Sequence, residues 1–479
     1  MKKTVLSILL AIAAALPAMA YTAQEAVDLF VSHSTLRYAS VGVTVIDLDS
    51  AKTIASYRPD QSNITASTMK TVISSAALGL LGPHYRFETP VYLDGEVSDG
   101  CFTGNIIVRG MGDPTLGSVN LPNQANIVDE IINALRARGI TRVKGAVIGD
   151  DSYYGYPYYD LDWDVGDLAY AYGAAVHALN FHDNVMNASF TIDSRGRITQ
   201  QSVTPPVPGL KIISRCRSSR GRNAITPYMD YCVPALVLTG DVSSTKSYRS
   251  TYANPTPAPM LVDSLKRALL RSDIRYDNVP DAYDGAMAAE RSLLVLHKSP
   301  ELTEIITSLL DRSDNMFAHS LLRAIGARDW ELKGKEAMTS NLDSVGVEAV
   351  ERWLRQQGID TDPLFMRDGS GLARGNKASV NFFGDMLTMM ADRRFDGVRL
   401  CDLMPTASDR VGRTLKSNPL SGNIVLKSGS MRHVQCFVGY YPADKPRYAF
   451  AVLVNNFNCS HADVKEQIGV LLCNLFDGK

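Results

Sequence analysis

Both ends of this chain carry pieces of one sheet, and this constrains the fold more than any other feature. Near the start, Val41, Val43 and Val45 alternate with Gly42 and Thr44, the period of a half-buried strand. The turn Asp47-Leu48-Asp49-Ser50 leads into a second strand over 53–57. Helices are expected at 23–31 and, more strongly apolar, at about 68–81. At the far end, Ile424-Val425-Leu426 reads as a buried strand, and 436–440 and 448–454 as a hairpin around Pro442-Ala443-Asp444-Lys445-Pro446. Val464, Ile468, Leu471, Leu472 and Leu475 then recur at helical spacing. Two termini that each supply strands and a covering helix predict a single sheet completed by both.

The stretch from about 95 to 290 reads differently. It carries short strands, many glycines and turn residues, a helix at about 125–138 running into a strand at 143–148, and a polar tract at 216–231. Ser299-Pro300-Glu301 has the cap-then-proline pattern of a helix start and opens a helical region over 301–358. The middle is therefore expected to be one or two domains inserted into the first. No internal repeat and no low-complexity tract interrupts the chain.

The first twenty residues read as a targeting segment rather than as part of the fold. Lys2 and Lys3 precede an apolar run over 5–16, and Ala18-Met19-Ala20 has the small-x-small form of a cleavage site. The apolar run is short for a membrane span. The alternative is an uncleaved N-terminal anchor. No Cys follows Ala20, which argues against a lipid anchor there. No later stretch is long enough to cross a bilayer, so an exported protein with no span after cleavage is expected.

The formal net charge is −1, which does not suit a phosphate-binding nucleic-acid protein. With 45% hydrophobic residues the chain can bury a large core. Its 7 cysteines leave at least one unpaired. Cys216 and Cys232, flanking the polar tract, are the candidate bridge; isolated thiols are the alternative. No Cys/His group has zinc-ligand spacing. Neither a metal nor an organic cofactor is expected.

Three short motifs carry chemistry. Ser67-Thr68-Met69-Lys70 opens the first long apolar helix, placing serine and lysine one turn apart on one face. A helix N-terminus favours developing negative charge, and a buried lysine can lose its proton and act as a base toward the serine. Ser243-Ser244-Thr245-Lys246 repeats the pattern in a polar stretch with no apolar helix behind it. Ser313-Asp314-Asn315 falls between two helical segments. Ser118-Val119-Asn120 and Ser421-Gly422-Asn423 share its spacing without that context. Lys427-Ser428-Gly429 follows an apolar strand, offering a cation for a carboxylate, a hydroxyl and open backbone. Taken singly, each motif also reads as ordinary structure: a helix cap, a helix–helix turn, an edge-strand lysine.

In this order and these contexts, the three motifs resemble the set shared by serine penicillin-binding proteins and class A β-lactamases. Ser67 and Ser313 stand 246 residues apart, far more than a minimal β-lactamase-like enzyme leaves. That gap resembles the class C, type-4 low-molecular-mass penicillin-binding proteins, the DacB-like D-Ala-D-Ala carboxypeptidases of peptidase family S13. Gly110-Met111-Gly112-Asp113-Pro114-Thr115-Leu116 is similar to that family's Gly-Asp-Pro-Thr-Leu segment. Tyr172-Gly173-Ala174, with Ala178-Leu179-Asn180-Phe181, resembles its Tyr-Gly-Ala…Ala-Leu-Asn segment. Asp368-Gly369-Ser370-Gly371-Leu372-Ala373-Arg374 is close to its Asp-Gly-Ser-Gly-Leu-Ser-Arg segment. Departures are Ser428 where threonine is commoner, Met111 where a third glycine is common, and Ala373 in place of serine.

The resemblance implies an α/β fold. Its β-lactamase/transpeptidase-like domain would have an antiparallel sheet flanked by helices plus an all-helical subdomain, built from 21–95 and 290–479 with a nested insertion over 96–289. It implies a periplasmic or cell-envelope D-Ala-D-Ala carboxypeptidase acting on peptidoglycan peptides and acylated by β-lactams, with cross-link endopeptidase activity left open. Ser67 would be the nucleophile, Lys70 its base and Ser313 a proton relay. Asn315 would bind the substrate backbone, Lys427 and Ser428 its terminal carboxylate, and the N–H groups of Ser67 and Ser430 the oxyanion. Asp150 and Arg374 match positions that bind the peptide side chain in that family. The rivals are a β-lactamase, for which no deacylating glutamate is evident, and a non-catalytic penicillin-binding sensor or scaffold.

Overall fold

The computed structural model describes residues 21–219, 224–243, 247–279, 291–333, 342–408 and 410–477. The expected targeting segment, 1–20, lies outside these residues, as do three of the four residues of Ser243-Ser244-Thr245-Lys246. Two compact units make up the chain. The first takes the chain up to Ile64, Ala378–Asp392 and everything from Pro405; the second takes Thr65–Lys377 and Arg393–Met404.

The first unit is the sheet that both termini build. Its five strands run Val425–Met431, Val434–Tyr441, Tyr448–Asn455, Ser40–Asp47 and Lys52–Tyr57 in spatial order. Every neighbouring pair is antiparallel. Val41, Val43 and Val45 point into a core shared with Phe30 of the Ala23–Ser32 helix and with Ile468, Leu472 and Phe476 of the His461–Phe476 helix. Each such buried side chain contributes up to about 1.5–3 kcal/mol. Capping boxes, Thr22 with Glu25 and Ser460 with Asp463, start both helices.

The alternation at 41–45 predicts a half-buried strand, but Ser40–Asp47 is buried on both faces, Thr44 and Ile46 included. The helix Val380–Ala391 covers the second face. Gly384 permits its close approach, since a Cβ there would lie 2.7 Å from Ile46 Cδ1. On the same helix the Leu387 carbonyl accepts the Tyr440 hydroxyl at 2.8 Å. The pattern 41–45 reports one apolar face; it is blind to a helix donated from residues three hundred positions later.

The second unit contains four packed helices, Met69–Leu80, Leu302–Arg312, Asn315–Leu332 and Leu342–Gln356. The last two touch backbone to backbone: a Cβ on Gly346 would stand 2.4 Å from the Leu322 carbonyl oxygen. A six-stranded mixed sheet joins Arg275–Asn278, Arg142–Gly145, Cys101–Arg109, Glu88–Ser98 and Ser292–Lys298, with Val147–Asp150 also paired to Cys101–Arg109. The strand expected over 143–148 is thus two strands. Gly145 lies so close to Gly104 that a Cβ would stand 1.9 Å from its carbonyl, which breaks the run. Two three-stranded sheets follow, one built from Lys211–Ser218, Ala235–Val242 and Ala224–Asp230, the other from Tyr248–Ala253, Val185–Ile192 and Ile198–Thr204. An antiparallel sheet with helices on both faces in the first unit, and a separate helical set in the second, bear out the expected fold class.

Cys216 and Cys232 are not bridged; all seven cysteines are free thiols. Cys216 pairs with Gly240, while Asp230, two residues before Cys232, pairs with Ala235. The two cysteines therefore lie near opposite ends of the Ala235–Val242 strand, roughly 16 Å apart along it, beyond the ~7 Å reach of a disulfide. Among the described residues no helix is long and apolar enough to cross a membrane.

Candidate active site

Ser67 sits in a single 3-10 turn, Ala66–Thr68, that winds directly into the Met69–Leu80 helix. Ala66 is held in the left-handed region at φ 46°, a conformation that costs an alanine about 1 kcal/mol or more. Thr68 Oγ1 ties the turn down by donating to the Thr65 carbonyl at 2.7 Å. Ser67 is half-buried at the helix N-terminus, and Lys70, one turn on, is completely buried.

The amine of Lys70 meets three acceptors. It lies 3.0 Å from Ser67 Oγ, 2.5 Å from Asn315 Oδ1 and 2.6 Å from the Ser370 carbonyl oxygen. Burial pushes the ammonium from its usual 10.5 down to about 7, against the attraction of the Asp368 and Asp314 carboxylates. A neutral amine has two N–H bonds and one lone pair. The Asn315 and Ser370 oxygens can only accept, so they take the two N–H bonds. The lone pair is then left to the Ser67 hydroxyl, the geometry a base needs.

The Ser313-Asp314-Asn315 turn joins helices Leu302–Arg312 and Asn315–Leu332. Ser313 occupies the left-handed region at φ 58°, closing the first helix. Asp314 caps the second, its Oδ1 accepting the Phe317 N–H at 3.0 Å. Burial lifts Asp314 to about 6; the Phe317 N–H opposes this and the Asp183 carboxylate adds to it. Asn315 is fixed at both ends of its amide, since Nδ2 donates to the Tyr172 carbonyl at 2.7 Å. An amide nitrogen carries two protons, so one remains for another acceptor. Ser118-Val119-Asn120, the pattern without the helix–helix context, reaches the same turn: Asn120 Nδ2 donates to Asp314 Oδ2 at 3.2 Å.

Sequence reasoning missed the part played by the 368–373 loop. Asp368 is fully buried and folds that loop around its own carboxylate. Oδ1 accepts from Ser370 N, Ser370 Oγ and Gly371 N at 2.7, 2.9 and 2.6 Å. Oδ2 accepts from Ala373 N and Trp163 Nε1, both at 2.7 Å. Burial alone would raise Asp368, but the His319 imidazole and these donors outweigh it and hold it below the usual carboxylate range. Gly371 lies against the nucleophile turn at φ 83°, where a Cβ would stand 1.9 Å from the Ala66 carbonyl oxygen. The sequence did contain a clue: Asp followed by Gly, Ser and Gly is the composition of a turn in which an aspartate accepts its own backbone N–H groups.

The third motif belongs to the first unit. Lys427, Ser428 and Ser430 lie on Val425–Met431, the terminal strand of the five-stranded sheet. Lys427 is completely buried and donates to the Ser428 carbonyl at 2.8 Å. Ser428 is half-buried. Ser430 is exposed, its Oγ donating to Gln435 Oε1 at 2.8 Å. Asp150 ends the strand Val147–Asp150 and accepts from Ser152 N and Oγ at 3.0 and 2.6 Å, bonds local to its own turn. Arg374 is exposed and makes no hydrogen bond or ion pair with the described residues.

The chain matches the D-Ala-D-Ala carboxypeptidase 3 (S13) family over residues 23–475. It is 26% identical over 475 residues to a D-alanyl-D-alanine carboxypeptidase of Actinomadura sp. (strain R39), covering 93% of this chain and 82% of that protein. It is 24% identical over 447 residues to the D-alanyl-D-alanine carboxypeptidase DacB of Haemophilus influenzae, covering 89% and 88% of the two chains. The crystal structure of penicillin binding protein 4 (dacB) from Haemophilus influenzae superposes with a TM-score of 0.75 at 22% identity, covering 94% of this chain and 98% of that one.

Proposed function

This chain belongs to the D-Ala-D-Ala carboxypeptidase 3 (S13) family, and on that premise we propose that Ser67 is the nucleophile through which it works. The enzyme is a serine-type D-Ala-D-Ala carboxypeptidase, a hydrolase of peptidoglycan peptides. The observation that carries the residue assignment is the bonding of Lys70. Two acceptors consume its N–H bonds, and its remaining valence meets the Ser67 hydroxyl at 3.0 Å.

In this reading Ser67 Oγ attacks the carbonyl of the penultimate D-alanine while its proton passes to Lys70 Nζ. The tetrahedral oxyanion is bound by the backbone N–H groups of Ser67 and Ser430. Ser313 passes the proton on to the leaving amine, the C–N bond breaks and D-alanine departs. Water then attacks the ester, Lys70 accepts its proton and returns it to Ser67 Oγ as the acyl C–O bond breaks, and the shortened peptide leaves. Asn315 gives its second N–H to the substrate backbone. Lys427 and Ser428 hold the terminal carboxylate, which a buried cation and a neighbouring hydroxyl suit. Asp150 and Arg374 bind the peptide side chain; the guanidinium of Arg374, exposed and without a partner among the described residues, suits such a role.

Penicillins present a strained amide to the same hydroxyl and leave a long-lived acyl-enzyme. Residues 21–95 and 290–479 form the catalytic part and 96–289 the accessory insertion. Residues 1–20 direct export and are then removed, with the periplasm or cell envelope as destination.

The test uses the mature protein with a D-Ala-D-Ala pentapeptide and a fluorescent penicillin. Wild type releases free D-alanine and becomes covalently labelled; Ser67→Ala does neither. Labelling that persists in Ser67→Ala removes Ser67 as nucleophile. Labelling without D-alanine release favours a binding protein, and rapid turnover of the penicillin favours a β-lactamase.

A further inference from the structure

A continuous line of bonds leads from the Lys70 amine to an indole far away in sequence. Lys70 Nζ bonds the Ser370 carbonyl, the Ser370 backbone N–H and hydroxyl both bond Asp368 Oδ1, and Trp163 Nε1 bonds Asp368 Oδ2. We propose that Trp163 is a positioning residue for Lys70, acting through Asp368 and the Ser370 carbonyl. The inference rests on the reading of Lys70 as the base.

Trp163 differs from the other donors to Asp368. Four of the five come from the 368–373 loop itself, so they move with it. The indole comes from 205 residues away and, among the described residues, is the one hydrogen bond that ties the carboxylate to a different segment. That segment is itself anchored. Trp163 N donates to the Asp160 carbonyl at 3.0 Å, and Asp162 pairs with Arg367 at 2.7 Å. The ring is buried against Leu168, Leu372 and Ala373. Trp163→Phe therefore keeps the apolar contact and deletes the N–H alone.

The charges around this line fix the direction of the effect. Lys70 faces Asp368 and Asp314. Asp368 faces His319 on the Asn315–Leu332 helix and Asp160 on the tryptophan's own segment. Behind them Asp343 pairs with His319 and Arg323. Without the indole N–H, the ionised carboxylate of Asp368 loses one of its two donors on Oδ2. The carboxylate keeps its four donors from the loop but loses its tie to the Trp163 segment, so the loop, and with it the Ser370 carbonyl, can shift relative to Lys70. An ammonium that loses an acceptor gives up its proton more readily. Its lone pair is also less well aimed, and misplacement of this kind costs rate steeply.

The experiment measures the acylation rate by a penicillin across pH 5–9 for wild type, Trp163→Phe, Asp368→Asn, the double variant and Lys70→Ala. Trp163→Phe is expected to lower the plateau rate by about tenfold or more. It should also move the acidic limb of the profile about half a pH unit or more toward acid. Asp368→Asn moves the limb the same way, and the double variant is no slower than Asp368→Asn, because both act along one path. A tryptophan that only supports the fold would lower the rate or the melting temperature and leave the limb in place. An unmoved limb in Trp163→Phe overturns the proposal, as does a double variant that shows the full product of the two losses. If Trp163→Phe does not fold, Asp368→Asn alone decides it, since an unmoved limb there breaks the line at its middle. Lys70→Ala separates the two readings: near-wild-type acylation in that variant removes the base itself.

Discussion

Lys70 donates to the carbonyl oxygen of Ser370 across 300 residues of chain, at 2.6 Å. That contact, with the one to Asn315 Oδ1, orients an amine which burial has brought down to about 7. Below that pH the amine is an ammonium and cannot accept the Ser67 proton; above it the lone pair is available. Acylation by a penicillin should therefore fall about tenfold per unit as pH drops below about 7, and level off above it. Stopped-flow or labelling rates between pH 5 and 9 check this. A limb centred near the ordinary lysine value would mean that burial does not neutralise Lys70.

The nucleophile turn depends on a residue that touches no substrate. Gly371 adopts φ 83°, and a Cβ there would stand 1.9 Å from the Ala66 carbonyl oxygen. Neither can yield easily, because Gly371 N is bonded to Asp368 and Ala66 is itself left-handed. Gly371→Ala should displace the Ser67 turn and cut acylation by about 10² or more. Retention of wild-type labelling would show that the two loops can slide apart without consequence.

In the proposed reading Lys427, buried on a sheet strand, pairs with the terminal carboxylate of the substrate. Truncating one partner of such a pair typically costs about 2–5 kcal/mol. Lys427→Ala should therefore lower kcat/KM by roughly thirtyfold or more for peptides with a free terminal carboxylate, and much less for their amides. Equal losses on the two substrates would contradict the assignment.

The elements of the first unit were legible because each terminal strand advertises its apolar face locally, as Val41, Val43 and Val45 do. The second face was hidden, because Gly384 and Leu387 on a distant helix supply it. Ser67, Lys70 and Asn315 could be read from spacing and context, and their bonds to one another fit that reading. The Ser370 carbonyl could not be, since a backbone acceptor leaves no mark in the residue type that presents it. The Cys216–Cys232 bridge failed for a related reason. Proximity in a polar tract said nothing of the strand register that sets those thiols at opposite ends of a neighbour.

Behind the site, Arg323 is buried and grips Asp343 with two bonds, Nε to Oδ1 at 2.9 Å and Nη2 to Oδ2 at 3.2 Å. It also donates to the carbonyls of Val176 and Pro157 at 2.7 and 3.0 Å. Burial alone would raise Asp343, but His319 and Arg323 outweigh it and hold the carboxyl far below its usual range. Arg323→Ala leaves that carboxylate buried without its two guanidinium bonds, and should destabilise the fold by about 3–5 kcal/mol at neutral pH. The depressed folded-state value means that the stabilisation is fully present above the unfolded carboxyl value of about 4, and fades as pH falls below it. The gap in urea midpoint between wild type and Arg323→Ala should therefore be wide at pH 7 and narrower at about pH 2. A gap that stays constant across that range would show that Arg323 contributes through packing and its carbonyl bonds, and not through the charge on Asp343.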